Sequence, residues 1–92
     1  MRLLRSEHAW EDYLYWQETD RQILGKINSL LQDIRRSPFK GVGKPEPLRG
    51  DLAGWWSRRI TGDHRIVYRA RGTGDEQHIE IITCRYHYSS RR

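Results

Sequence analysis

Three side chains in this 92-residue sequence have the types that acid–base chemistry on a phosphodiester requires: Glu46, Arg65 and His87. RNA transesterification needs a base that removes the 2′-OH proton, a cation that stabilises the charge on the phosphorane, and an acid that protonates the departing 5′-oxygen. A carboxylate, an arginine and a histidine, which titrates near neutral pH, are a minimal set for these steps. We therefore treat the three residues as candidates for RNA cleavage.

Each candidate also has an ordinary structural interpretation. Glu46 lies between two prolines in a loop, where a carboxylate is usually just solvated. Arg65 could be a surface charge on a strand, and His87 could belong to a frayed chain end. The four histidines form no ligand spacing pattern such as H-x-x-x-H, so we expect neither a metal nor a cofactor. The residue types alone leave the function open.

Basic residues are concentrated in the middle of the chain. The sequence has 17 Lys and Arg against 12 Asp and Glu, a net charge of +5. Residues 34–71 carry ten basic and three acidic side chains, whereas residues 1–33 are slightly acidic. Most of the basic residues are arginines, which contact phosphate in a bidentate way and stack on bases. This segregation favours a polyanionic partner, although a solvated basic face would give the same pattern.

Length and composition predict one domain, residues 1–92, because single cores usually need about 50–200 residues. Cys84 is the only cysteine, which excludes an internal disulfide, and we expect it to be a small buried hydrophobe. No apolar run approaches the roughly 20 residues of a membrane span, and no signal-peptide core follows Met1. We therefore expect a cytoplasmic protein without a membrane partner.

Hydrophobic periodicity predicts a short strand and two helices in the first part of the chain. Residues 2–5 favour a strand, and residues 7–17 favour a helix that begins after the N-cap Ser6. A second helix, capped by Thr19 or Asp20, carries one apolar stripe and ends at a Ser-Pro pair. The short connection predicts an antiparallel helix hairpin. Two aromatic side chains of the first helix are predicted to lie in the core: Trp10 and Tyr13.

Beyond the second helix, an irregular segment, residues 38–50, is rich in proline and glycine. Three later segments with β-branched and aromatic side chains are joined by short turns: residues 55–60, 65–71 and 77–85. They predict a three-stranded antiparallel meander and hence an α+β fold, with the helix pair on one face of the sheet. Alternation along the middle strand predicts that Arg65 lies on the open face. The side chains expected to face the helices are Ile66, Tyr68 and Ala70.

Five stretches together closely resemble the Txe/YoeB family of bacterial toxins, within the RelE-like superfamily. They are DYLYWQETD at 12–20, GKPEPL at 43–48, WSRRIT at 56–61, HR and VY at 64–65 and 67–68, and CRYHY at 84–88. The stretches run in family order over nearly the whole chain, so their combination is specific although no single motif is decisive.

The resemblance implies a toxin of a type II toxin–antitoxin pair that enters the ribosomal A site and cuts messenger RNA there without a metal. It implies that Glu46 is the general base and His87 the general acid. Arg65 is implied as the phosphate-stabilising cation, and Tyr88 as the aromatic that helps to position the substrate. Four further basic residues match family positions on the surface that meets RNA: Lys44, Arg49, Arg58 and Arg59.

The partners implied by the resemblance are messenger RNA, the 70S ribosome and an acidic YefM- or Axe-like antitoxin. DNA would be contacted only through that antitoxin, and relatives that dimerise imply a homodimer. The implied fold is the microbial RNase-like, RelE-like fold, which agrees with the α+β order predicted from periodicity.

The chain departs from the family pattern at two places. The turn around residues 71–76 is longer and more polar, and a short C-terminal extension, residues 89–92, follows Tyr88. A different class of function also fits the basic segment: a non-catalytic RNA- or ribosome-binding module that blocks translation by occupancy would not need His87. A DNA-binding regulator is disfavoured because neither predicted helix is basic.

Overall fold

The computed structural model describes residues 2–85 of the chain. In chain order the helices and strands are β1 (Arg2–Arg5), α1 (Glu7–Thr19), α2 (Arg21–Arg36), β2 (Glu46–Pro47), β3 (Trp56–Arg59), β4 (Arg65–Arg71) and β5 (His78–Thr83). Single turns of 3₁₀ helix stand at Gly50–Leu52 and Gly74–Glu76. Within this described range, neither helix combines the length and the apolar character that a bilayer span requires.

The helix hairpin forms where the capping residues predict it. The Ser6 hydroxyl accepts a hydrogen bond from the backbone N–H of Ala9 and so caps α1. Asp20 ends α1 by donating its N–H to the carbonyl of Trp16, and its carboxylate caps α2. Because one residue serves both helices, α1 extends to Thr19 rather than to the predicted residue 17.

The strands form one mixed sheet in the order β1-β5-β4-β3-β2. β3, β4 and β5 are antiparallel neighbours, which confirms the predicted meander, and β1 pairs in parallel with β5. The observed β3 and β5 are shorter than the predicted segments 55–60 and 77–85. The helices and the sheet together give the predicted α+β architecture.

The segment 38–50, predicted to be irregular throughout, contains the edge strand β2. Glu46 and Pro47 pair with Ser57 and Trp56 of β3. A strand of two residues is too short to show an alternating pattern in the sequence. An edge strand tolerates a proline because its outer side makes no ladder hydrogen bond. The prediction of an unpaired loop at Glu46 is therefore wrong.

The core lies between α2 and the helix-facing side of the sheet. The apolar stripe of α2 is buried as predicted: Ile27, Leu30, Leu31 and Ile34. Ile66 and Tyr68 of β4 are buried against this stripe, and Ala70 packs at its border. These contacts confirm that the alternating apolar side chains of β4 face the helices.

The predicted core position of Trp10 is wrong. Its side chain is 41% exposed and stacks nearly parallel to the Tyr13 ring, with the Arg5 guanidinium 4.6 Å from the indole centroid. The buried line of α1 runs through Ala9 and Trp16 instead, so Trp10 lies about 100° around the helix from that line. Tyr13, which borders the core, is half-buried.

A buried carboxylate joins α1 to the end of β5. Asp12 accepts hydrogen bonds from the Thr83 hydroxyl at 2.9 Å and from the backbone N–H of Cys84 at 3.0 Å. Cys84 is buried, as predicted, and the Trp16 indole donates to its carbonyl at 2.9 Å. Asp12 and Trp16 of α1 thus hold the end of β5 and Cys84 in place by hydrogen bonds.

We expect Asp12→Ala to lower the free energy of unfolding by about 2–4 kcal/mol, because two buried donors lose a charged acceptor. Urea unfolding followed by circular dichroism measures this loss. Glu11→Ala, at the exposed neighbouring position, is the matched control and should change stability by less than about 0.5 kcal/mol. Equal stabilities of the two variants would contradict the role of Asp12.

Candidate functional site

The structure brings two of the candidate residues, Glu46 and Arg65, together on the open face of the sheet. Glu46 Oε1 lies 3.3 Å from an Arg65 guanidinium nitrogen, and the same nitrogen donates to the Ser57 hydroxyl at 3.3 Å. Ser57 stands opposite Glu46 in the β2–β3 ladder. Because Ile66 faces the helices, its neighbour Arg65 points to the opposite face, as predicted.

The two charged groups differ in their exposure to solvent. The Glu46 side chain is 54% exposed, whereas the Arg65 side chain is only 15% exposed. An exposed carboxylate is accessible to a hydroxyl group from which it could take a proton. A guanidinium held against the sheet is a pre-oriented cation with five N–H donors, a geometry that matches a phosphate group.

Arg58 is the residue for which the prediction from sequence fails most clearly. It was expected on an RNA-facing surface, but its side chain is fully buried. Trp56, Arg58 and Ile60 alternate with Ser57 and Arg59 along β3, so Arg58 points to the helix side beside Ile66. The prediction that Arg58 belongs to the exposed basic surface is wrong.

The buried Arg58 guanidinium holds the segment between α2 and β2 in place. It donates to the carbonyls of Ser37, Lys40 and Val42 and forms an ion pair with Asp33. Its Nε also donates to the Tyr68 hydroxyl, which in turn donates to the carbonyl of Pro38. The guanidinium thus has five acceptors, one of them the Asp33 carboxylate, and these contacts offset the free-energy cost of burying its charge.

Asp33 completes this network from α2. Its carboxylate pairs with Arg58 and Arg36 and accepts the backbone N–H of Val42, and Arg58 first, then Arg36, hold the pKa of Asp33 below its ordinary value. Gly41 passes so close that a Cβ at this position would collide with the carboxylate, and its φ of 125° also requires glycine. Glycine at position 41 thus lets the backbone approach the Asp33 carboxylate closely.

Three of the predicted RNA-contacting residues, Lys44, Arg49 and Arg59, are exposed. Lys44 and Arg59 line one cavity of about 360 Å³, and the Arg59 N–H donates to the carbonyl of Gly43, which also lines it. Lys26 of α2 lines the same cavity. Sequence reasoning missed Lys26 because it lies in the acidic first third of the chain, with no local signal that α2 would carry it to this site.

His64, next to Arg65, packs edge-on against the Trp16 ring with the centroids 4.7 Å apart. Burial lowers its pKa. His87 and Tyr88 lie outside the described residues. Residues 2–85 contain no group of three or more His, Cys, Asp or Glu side chains that could hold a metal ion.

We expect Arg58→Lys to lower the free energy of unfolding by about 3 kcal/mol, because a lysine ammonium cannot reach the five acceptors that the guanidinium contacts. Arg59→Lys changes the same residue type at the exposed neighbouring position and should shift stability by less than about 0.5 kcal/mol. Urea unfolding of both variants makes the comparison. A loss of equal size at both positions would show that the buried network is not required.

Two histidines should titrate on opposite sides of the ordinary value of about 6.5. Burial lowers the pKa of His64, so stability is lost as the pH falls below about 6.5 and unfolded His64 becomes protonated. The hydrogen bond to Glu80 raises the pKa of His78, so its contribution is full below about 6.5 and is lost as the pH rises through that raised pKa.

An NMR pH titration of the histidine ring signals, assigned with His64→Gln and His78→Gln, measures both values. The reverse order of the two midpoints would contradict the packing described for these side chains.

Several known proteins are similar to this chain in sequence and in fold. The family model described as "YoeB-like toxin of bacterial type II toxin-antitoxin system" matches residues 5–88. Toxin YoeB of Escherichia coli K12 is 58% identical over 88 residues, covering 96% of this chain and all of the relative. The YoeB/ParE toxin structure from Agrobacterium tumefaciens is 55% identical, with a TM-score of 0.93, and covers 96% of this chain and all of that one.

The Staphylococcus aureus YoeB dimer is 45% identical, with a TM-score of 0.82 over 96% of this chain and 98% of that one. The same toxin was solved in a heterotetrameric YoeB–YefM toxin–antitoxin complex, at 44% identity, a TM-score of 0.81 and the same coverage. The fold is therefore the microbial RNase-like, RelE-like fold. Because the family model spans most of the sequence and relatives share more than half of its residues, the chain belongs to the YoeB-like toxins of bacterial type II toxin–antitoxin systems.

Proposed function

We propose that the chain is a ribosome-dependent endonuclease that cuts messenger RNA in the ribosomal A site and so inhibits translation. The observation that carries this proposal is the Glu46–Arg65 pair, an exposed carboxylate held beside a cation on the open face of the sheet. Membership of the toxin family supports the same reading, because a toxin needs a target that growth depends on.

The proposed reaction is a metal-independent transesterification. Glu46 takes the proton of the 2′-OH, the 2′-oxygen forms a bond to phosphorus, and the bond from phosphorus to the 5′-oxygen breaks. Arg65 stabilises the charge that develops on the phosphorane oxygens. His87 gives its proton to the departing 5′-oxygen, and Tyr88 positions the substrate. The products are a 2′,3′-cyclic phosphate and a 5′-hydroxyl end.

The substrate backbone is proposed to follow the exposed basic residues around this pair. Lys44, Arg49 and Arg59 supply the cations that contact phosphates, and Lys26 adds a charge beside Lys44. Arg58 has a different part in this scheme. It holds the carbonyls of residues 37–42 and so positions the segment that leads to Glu46.

The proposed partners are messenger RNA, the 70S ribosome and an acidic antitoxin, in a cytoplasmic setting. The Staphylococcus aureus toxin forms a complex with YefM, and this supports a YefM- or Axe-like antitoxin for the present chain, through which alone DNA would be contacted. A dimer of that toxin likewise supports a homodimer. An acidic, partly disordered partner would be attracted to the same basic surface that receives RNA.

We expect Arg65→Ala to slow messenger cleavage by about 100–1,000-fold, because one pre-oriented charge-stabilising group is lost. Glu46→Gln should be similarly impaired, since an amide cannot accept the 2′-OH proton. Purified ribosomes on a defined messenger, with the cut ends sequenced, give both the rate and the end chemistry. Arg71→Ala, at the exposed end of β4, and Glu76→Gln, at an exposed position of the β4–β5 connection, are the matched controls and should cleave like the unaltered chain.

The end chemistry and the variants separate cleavage from simple occupancy. A 5′-phosphate on the downstream fragment would exclude attack by the 2′-OH. If Glu46→Gln and His87→Gln still stopped protein synthesis at equal dose with no cut messenger, the chain would act as a non-catalytic ribosome-binding module, and the proposed reaction would be wrong.

A further inference from the structure

The open face of the sheet carries a second groove, which lies toward β1 rather than toward the edge strand β2. Its volume is about 370 Å³. Leu4 of β1 and Ile82 supply apolar surface, and Trp55 supplies an aromatic ring. Three charged side chains also line the groove: Arg5, Arg69 and Glu80. None of these side chains is used by the proposed reaction.

Arg69 and Trp55 form a fixed stacking platform in this groove. The Arg69 guanidinium carbon lies 4.3 Å from the Trp55 ring centroid, and its Nε donates to Glu80 at 2.6 Å. The other Glu80 oxygen bonds His78 Nε2 at 2.9 Å. Two hydrogen bonds fix the backbone at Trp55. Its N–H donates to the Leu52 carbonyl, and its carbonyl accepts from the Leu48 N–H. The Arg69 side chain is nevertheless 31% exposed.

The groove lies along the same strand as Arg65 of the Glu46–Arg65 pair. Arg65 and Arg69 are four residues apart on β4 and therefore lie on the same face, separated by about 13 Å along the strand. Trp55 comes two residues before Ser57, the residue that the Arg65 guanidinium contacts. A single strand of RNA with its phosphate at Arg65 would reach the groove within a short distance.

The chemistry of the groove selects a planar, uncharged ligand. Glu80 already balances the Arg69 charge, and a carboxylate at this point repels phosphate. The other cation of the lining, Arg5, is stacked over the Trp10 and Tyr13 rings. The floor is apolar, and a guanidinium stacked on an indole presents flat surfaces on which a nucleobase can stack.

We propose that this groove is a subsite for a nucleobase of the bound messenger, close to the scissile phosphate but not at it. The base stacks against the Trp55–Arg69 platform, with Leu4 and Ile82 beneath it. The subsite rests on the proposed function, because it assumes that single-stranded RNA crosses the open face. It would add affinity and a preferred path for the strand without taking part in the bond-breaking step.

The test uses the full chain carrying Glu46→Gln, so that the RNA stays intact, labelled at the tryptophan indole nitrogens. Titration with a single-stranded RNA hexamer should shift the Trp55 indole signal saturably. Trp10 does not line the groove and is the matched control within the same spectrum; it should shift much less than Trp55, because only its neighbour Arg5 reaches the groove. A hexamer of the same length without bases should bind about tenfold more weakly.

Two further variants complete the test. Trp55→Leu should lose most of the difference between the intact and the base-free hexamer, whereas Trp10→Leu should keep it. Should Trp55→Leu fail to fold, Arg69→Gln removes the stacking cation and is expected to reduce the same difference. Equal affinity of the unaltered and variant chains for the intact hexamer would overturn the subsite. So would a variant that loses affinity for an antitoxin peptide while binding RNA normally, since the groove would then dock protein.

The subsite and the proposed reaction can be disproved independently of each other. Cleavage of a messenger by the unaltered chain, without a response of Trp55 to RNA bases, would remove the subsite alone. A base-dependent Trp55 response in a chain that never cuts messenger would remove the reaction and leave the subsite in place.

Discussion

The ion pair between Arg58 and Asp33 is the interaction on which the candidate site depends. Burying a guanidinium costs several kcal/mol, and the cost is offset only when its donors all find partners. Here those partners come from α2, from β4 and from three carbonyls of the connecting segment. The large apolar side chains of this segment, Phe39 and Val42, are mostly exposed, so the buried cation gives the segment a defined path. That path ends at β2 and Glu46.

Three arginines of the basic middle segment serve different purposes because their surroundings differ. Arg58 is buried and paired with Asp33, Arg65 is partly buried and paired with Glu46, and Arg69 is more exposed and paired with Glu80. A count of charges along the sequence treats them alike. The cations available to a polyanion are therefore fewer than the composition suggests, and those on loops and edges, such as Lys44 and Arg59, carry more of the electrostatic attraction.

Periodicity predicted the helix hairpin and the meander because both bury a continuous apolar stripe against the same core. It could not predict β2, since two residues next to prolines show no alternation, and the pairing of Glu46 with Ser57 depends on a fold that brings distant segments together. The meeting of Glu46 with Arg65 has the same origin. Arg58 was different. It shares an alternation series with Trp56 and Ile60, which indicates the helix-facing side, but the family resemblance implied a place on the RNA-facing surface.

The two ion pairs behave differently toward an incoming phosphate, and this difference suits the proposed chemistry. The Glu46 carboxylate is exposed and lies 3.3 Å from the guanidinium, so its pair with Arg65 contributes about 0–1 kcal/mol and a phosphate can replace the carboxylate at little cost. Glu46 then remains beside the bound backbone as a solvent-accessible base. Separating Arg58 from Asp33 would instead leave a buried charge without its partner, at a cost of several kcal/mol. The strong Arg58–Asp33 pair therefore fixes the framework, while the weak Arg65–Glu46 pair can open to admit a phosphate. If the strengths were reversed, Arg65 would stay bound to Glu46 and would be unavailable to the substrate.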